Sequence, residues 1–154
     1  MQSISALAAA AAAALVLGSA GCAVVHNDYV EPTSGPAAQL TVVQPAGQKV
    51  NLRLYDDHRE CQGRRVVTAS TVKVPAGTPL SFSVETLNTD TRRACFMIAT
   101  FTPLPGQRYA ARLALDGQRC TLDVRTQDGR TVALRARQAS RSQITEASRF
   151  CTAD

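Results

Sequence analysis

Six consecutive residues carry the densest set of reactive side chains in the chain: Asp56-Asp57-His58-Arg59-Glu60-Cys61. Carboxylates, an imidazole and a thiol are the ligand types of a transition-metal site. Their spacing argues against that use, because successive side chains on an extended segment point to opposite faces and do not converge on one centre. The only other histidine is His26, well toward the N-terminus. The stretch reads instead as a charged loop ending in a disulfide, and no metal is expected. Nucleophilic catalysis needs a base held by an orienting group. There is no Gly-x-Ser-x-Gly, and His58 is alone in the domain, so no such relay is spelled out. Asp56 and Glu85 have the chemistry of a glycosidase pair, but nothing singles them out, and the chain has no tryptophan to stack a sugar. The sequence is therefore read as non-enzymatic, with no catalytic residue and no cofactor.

Charge points to recognition. The 154 residues include 17 Lys and Arg against 12 Asp and Glu, a net +5. Arg64-Arg65 and Arg92-Arg93 flank turns. With Arg135, Arg137, Arg141 and Arg149 they are candidates for a basic face that meets anionic headgroups, lipopolysaccharide phosphates or an acidic protein. Solvated surface arginine is the alternative, since charged strand edges discourage edge-to-edge pairing. Nucleic acid is not expected as a partner, because aromatic residues are not interleaved with the basic ones. The candidate partner-binding residues are Asp56, Asp57, His58, Arg64, Arg65, Arg92 and Arg93, on loops over residues 56–64 and 87–93.

The N-terminus carries a different chemistry. Residues 4–17 are an uncharged apolar run, and from residue 6 to 14 every position except Leu7 is Ala. A signal-peptide apolar region has roughly 7–15 residues, whereas a membrane span needs roughly 20. Gly18, Ser19, Ala20 and Gly21 then lead to Cys22. The order Leu17-Gly18-Ser19-Ala20-Gly21-Cys22 resembles the lipobox of bacterial lipoproteins, with Ser19 where that family favours Leu. The resemblance implies cleavage before Cys22, whose sulfur takes a diacylglycerol and which becomes the first residue of the mature chain. Secretory cleavage near Ala20 or Ala23, or an uncleaved anchor, is the alternative. Enterobacterial lipoproteins with Asp after the cysteine stay at the inner membrane. Ala23 stands there in this chain, which implies the outer membrane, facing the periplasm. Residues 1–21 are thus read as signal peptide. Residues 22–38, with Pro32, Ser34, Gly35 and Pro36, are read as lipidated N-terminus and flexible tether, and residues 39–154 as the domain.

With Cys22 assigned to lipid, four of the five cysteines remain: Cys61, Cys95, Cys120 and Cys151. An even remainder in a small exported domain implies two disulfides. No pair has the Cys-x-x-Cys spacing of thioredoxin-like redox chemistry. Three pairings are open and the spacing does not choose among them; Cys61–Cys95 with Cys120–Cys151 is the expectation carried forward. Each such bridge closes a loop of roughly 30 residues and stabilises the fold by removing loop-closure entropy from the unfolded chain.

The elements that position these residues alternate with period two, the pattern of half-buried strands. Val50, Leu52 and Leu54 alternate with Asn51 and Arg53; Leu80, Phe82 and Val84 with Ser81 and Ser83; Leu113 and Leu115 with Arg112 and Ala114. Residues 94–101 are nearly all apolar, as in a strand covered on both faces. Asp116-Gly117 and Asp128-Gly129 are hairpin turn signals. About seven or eight strands are expected, near 40–44, 49–55, 65–74, 79–87, 94–102, 108–115, 119–125 and 131–137, forming an all-β antiparallel sandwich. The stretch from Phe101 to Tyr109, with Pro103, Pro105 and Gly106 between, resembles the tyrosine corner of fibronectin-type and immunoglobulin-like domains. That resemblance implies that Tyr109 turns its hydroxyl back onto the preceding loop, in an immunoglobulin- or transthyretin-like sandwich. In the tail, Ile144, Ala147 and Phe150 at intervals of three fit a short helix or a coil pinned by Cys151.

These features imply a non-enzymatic envelope lipoprotein that binds a periplasmic or envelope protein or supports an envelope assembly. The alternative is an inhibitor or immunity lipoprotein that blocks a cell-wall hydrolase or toxin.

Overall fold

The apolar alternation becomes nine strands in the computed structural model, which describes residues 27–88, 93–116, 118–140 and 148–152. They are β1 (Ala37–Val42), β2 (Gln48–Tyr55), β3 (Arg64–Val67), β4 (Thr71–Pro75), β5 (Leu80–Asn88), β6 (Arg93–Phe101), β7 (Arg108–Asp116), β8 (Arg119–Thr126) and β9 (Arg135–Arg137). No helix occurs among the described residues. One sheet has the order β4-β1-β7-β8 and the other β3-β2-β5-β6-β9. The protein is an all-β sandwich, with the core between the two sheets. Met1 to His26, including Cys22, lie outside the described residues, as does Arg92.

Inward residues of both sheets meet in one cluster that includes Leu40, Leu52, Leu54, Val74, Phe82, Val84, Ala111, Leu113 and Val124. Fully burying one such large side chain contributes about 1.5–3 kcal/mol. Phe101 stands edge-on to both Phe82 and Tyr109, with ring centroids 5.7 and 5.1 Å apart, a favoured arrangement of aromatic quadrupoles. The Tyr109 hydroxyl accepts the Leu104 amide at 2.8 Å, which fixes the turn between β6 and β7.

Three details differ from the expected strands. The stretch 65–74 is two strands in different sheets. Val67 and Val72 both pack on the core, and five positions apart they cannot share one face of a single strand. The exposed residues 68–70 carry the chain across, and Ser70 O accepts the Val42 amide at 2.8 Å. The stretch 131–137 keeps only β9, because Thr131 still bridges to Arg125 while Arg137 pairs with Ile98 of the other sheet. There Arg137 is buried and Ala136 exposed, whereas the period-two pattern of Val132, Leu134 and Ala136 against Ala133, Arg135 and Arg137 places Ala136 inside and Arg137 outside. Finally, β1 pairs in parallel with β7, from Gln39↔Arg108 to Val42↔Ala111, so that sheet is mixed rather than antiparallel. Parallel neighbours need a long crossover, and here β2 to β6 supply it: β2, β3, β5 and β6 in the opposite sheet, with β4 returning to pair with the other edge of β1.

The disulfides are Cys61–Cys151 and Cys95–Cys120, which corrects the expected pairing. Cys95 lies on the inner face of β6 and bridges the core to β8. Cys61 lies beyond the far end of β2 on the outer face of the same sheet, packed with Tyr55, Ile98, Phe150 and Cys151. The row Leu54↔Phe82↔Ala99 is four residues along β6 from Cys95, about 13 Å. Cys61 and Cys95 are therefore separated along the strands as well as by the sheet itself, beyond the ~7 Å Cα limit of a bridge.

Both ends of the described chain are pinned. Ser140 N donates to Phe150 O and Thr152 N to Gln138 O, each at 3.0 Å, so the tail lies across the outer face as a short ladder. Residues 141–147, most of the stretch expected as helix or coil, lie outside the described residues. Of the stretch 22–38 read as tether, residues from Asn27 onward lie against β3 and β4, with Val66 N donating to Asn27 O at 2.8 Å and Tyr29 N to Val66 O at 2.9 Å.

Candidate functional site

The hairpin between β2 and β3 builds one wall of a cleft. Asp56 N donates to Gly63 O and Asp57 N to Gln62 O, both at 3.2 Å, continuing the ladder past Tyr55↔Arg64. Gly63 has φ +64°, and a Cβ there would sit 2.5 Å from Asp56 Oδ2. That carboxylate cannot easily give way, because Arg65 grips it through Nε at 2.9 Å and Nη2 at 2.7 Å. The Asp57 carboxylate accepts the Glu60 amide at 2.8 Å and the Arg59 amide at 3.2 Å, an Asx turn that bends the loop. Cys61 completes the bend in the left-handed region at φ 54°.

The loop then folds over the outer face of the five-stranded sheet and is held from below. The buried Arg137 guanidinium donates to the carbonyl oxygens of His58 at 3.3 Å, of Arg59, and of Thr152 at 2.5 Å. Ser81 Oγ donates to His58 O at 2.8 Å, and its oxygen sits 2.5 Å from Thr100 Oγ1. Phe150 N donates to Glu60 O at 3.1 Å, and Arg149 pairs with the Glu60 carboxylate at 3.0 Å.

Between this wall and the segment before β9 opens a cleft of about 1000 Å3. It is lined by Asp57, His58, Arg59 and Glu60, by Thr100, Phe101 and Thr102 at the end of β6, and by Ala133, Leu134 and Arg135. Partial burial pulls the Asp57 carboxyl upward. The Glu60 and Arg59 amides, helped by the His58 and Arg59 charges, outweigh it and hold the carboxyl below the ordinary value of 3.8. Asp57 is thus an anion whose charge is spent on shaping the loop, not a proton donor near neutral pH.

Of the residues singled out in the sequence, Asp57, His58, Arg59 and Glu60 line this cleft from one side and Arg135 and Arg137 from the other. Asp56 and Arg65 are an ion pair at its root, and Arg64 lies with its guanidinium carbon 4.5 Å from the centre of the Phe150 ring. Arg93 opens β6 at the opposite end of the sheet, since Gln48↔Asn88↔Arg93 is the far row. Arg93 therefore shares no surface with the loop over 56–64. Of the arginines expected to form a basic face, Arg135 and the buried Arg137 line the cleft with Arg59, Arg149 is on Glu60, Arg93 is at the far end of the sheet, and Arg92 and Arg141 lie outside the described residues. Arg137, Ser81 and Thr100 do the positioning; Arg137 was expected on a surface, and no spacing marks the other two.

Among the described residues no group of three His, Cys, Asp or Glu side chains is placed to hold a metal ion. No helix among them is long and apolar enough to cross a membrane. No protein-family model, curated protein or solved structure matches the chain. The fold and the site define a class: a two-sheet β-sandwich closed by two disulfides, with a prearranged cleft at one end.

Proposed function

We propose that this chain is a non-enzymatic envelope lipoprotein, anchored through Cys22, whose sandwich binds a protein partner at the cleft. One observation carries the proposal: the loop over 57–60 is fixed before any partner arrives. Arg137 and Ser81 hold its carbonyls, Asp57 holds its amides, and the Cys61–Cys151 bridge holds its root. A wall that need not be ordered on binding avoids the entropy that a free loop would lose, roughly 0.5–1.5 kcal/mol per immobilised side chain. The polar groups so engaged act on the protein's own backbone, which suits recognition better than turnover. The exposed Arg59, at the tip of this wall, also favours the inhibitor reading, in which such a tip enters an enzyme's cleft.

A photo-crosslinking residue at Arg59 or Thr102, both exposed on the cleft, tests the proposal in living cells. One discrete adduct from both positions, absent when the same residue replaces Thr121 on β8, is expected. Identical adducts from all three positions, or none from the cleft pair, would refute it. If the adduct is a single hydrolase whose activity falls when the domain is added, the inhibitor reading replaces the assembly one.

A further inference from the structure

Residues 27–36 strap one side of the sandwich. Asn27 and Tyr29 pair with Val66 on β3, the edge of the five-stranded sheet. The Tyr29 hydroxyl donates to Lys73 O at 3.1 Å, and Glu31 Oε1 accepts the Lys73 amide at 2.8 Å, on β4 at the edge of the other sheet. Ala76 N donates to Pro36 O at 3.0 Å. The strap thus joins the open edges of the two sheets and leaves little chain between them and Cys22.

Resting on the proposed lipid anchor at Cys22, we propose that this strapped side, the β3 and β4 edges with residues 27–31, lies on the bilayer headgroup layer. Five peptide steps separate Cys22 from Asn27, and whatever their conformation they reach no further than about 18 Å. Were all of 22–38 free, the reach would be about 58 Å. The eight residues of β2 alone extend about 26 Å, so the leash is shorter than the domain it holds. It joins the domain at the β3 edge, so β8, β9 and the cleft wall at 133–135 are directed away from the membrane.

The composition of this side fits a membrane surface. Val30 and Val66 are 82% and 40% exposed, two of the few large apolar side chains open to solvent among the described residues. Asp28 and Glu31 on the strap stand beside Lys73 on β4, and Asp56 and Arg65 pair with each other, so no basic patch forms here and the contact does not require anionic lipid.

Because the chain has no tryptophan, one substituted tryptophan is a unique reporter. The full lipidated chain is extracted from membranes and reconstituted into zwitterionic phosphatidylcholine vesicles brominated near the headgroup end of the acyl chains. Val30→Trp and Val66→Trp should lose most of their emission relative to unbrominated vesicles, and Thr121→Trp on β8 should keep it. A Gly-Ser insertion between Val24 and Val25 that triples the linker should restore the Val30→Trp emission. Equal quenching at residues 30 and 121, no quenching at residue 30, or quenching that survives the insertion would each overturn the proposal. Should Val66→Trp fail to fold, the more exposed Val30 carries the test alone. Palmitate labelling of the same preparations separates the two failures. Labelled protein without quenching at residue 30 overturns the placement and leaves the anchor standing. Unlabelled protein overturns the anchor and the placement with it.

Discussion

Removing the two disulfides separately should cost unequal amounts. Cys61–Cys151 spans 90 residues of sequence and Cys95–Cys120 spans 25. The chain-entropy model assigns about 4.6 kcal/mol to the longer loop and about 3.5 kcal/mol to the shorter. Losing the longer bridge also frees the tail whose Phe150 covers Tyr55 and Ile98, so the double variant C61A/C151A should fall further than that difference. At about 4 °C per kcal/mol for a domain of this size, its melting temperature should lie at least several degrees below that of C95A/C120A. Guanidinium unfolding of the oxidised variants gives the free energies, and thiol titration shows whether the remaining pair is still bridged. Equal losses, or a larger loss for C95A/C120A, would refute the reasoning. Free thiols in oxidised C61A/C151A would refute the connectivity.

Four further outcomes are expected. Gly63→Ala should destabilise by more than Gly129→Ala. Both positions have positive φ, which costs about 1–2 kcal/mol with a side chain, but only at Gly63 does the new Cβ meet the Asp56 carboxylate; thermal unfolding of the two variants decides it. Arg137→Met should cost about 3 kcal/mol by leaving the Arg59 and Thr152 carbonyls without the guanidinium donor, and Arg137→Lys should not restore it, because the three N–H of an ammonium diverge from one nitrogen and do not reproduce the wide planar fork of a guanidinium; a loss below about 1 kcal/mol would contradict the clamp. Asp57 titrates below its ordinary value in the folded protein, so its contribution is complete above 3.8 and drains as pH falls through the lower folded value; Asp57→Asn should remove that acid-side loss in unfolding measured against pH. Partial burial, then the Glu31 and Asp56 carboxylates, raises Tyr29 from 10.0 to about 12. The neutral strap is therefore fully effective below 10.0 and weakens as pH rises through about 12, and Tyr29→Phe should delete the late component of the tyrosinate absorbance titration.

The strands were legible wherever one face is buried and the other wet. Leu52 and Leu54, Phe82 and Val84, and Leu113 and Val124 all fill the core, and their alternation gave both strand and face. Pattern stopped being informative where a face is covered by something other than the partner sheet. Ser81 and Ser83 look like solvent-facing residues, yet both are buried, because the 57–60 loop and the tail lie over them. Arg137 is obscure for the same reason: its partners are carbonyls of residues 78 and 79 positions away in sequence and of Thr152, and carbonyls leave no trace in residue type. The reactive cluster 56–61 was visible, but its use was not, since whether Asp57 serves a metal or its own backbone depends on the turn it makes. The disulfide pairing was hidden because it depends on which face of β6 carries Cys95.

The anchor proposed for this sandwich is lipid on Cys22. Its most direct test is the intact mass of the protein recovered from the membrane fraction, together with palmitate labelling of the same sample and of its Cys22→Ala variant. The predicted result is a chain that begins at Cys22, carries the mass of attached acyl chains, and loses label on substitution. An unmodified chain cleaved near Ala20 or Ala23 and found free of the membrane would contradict it.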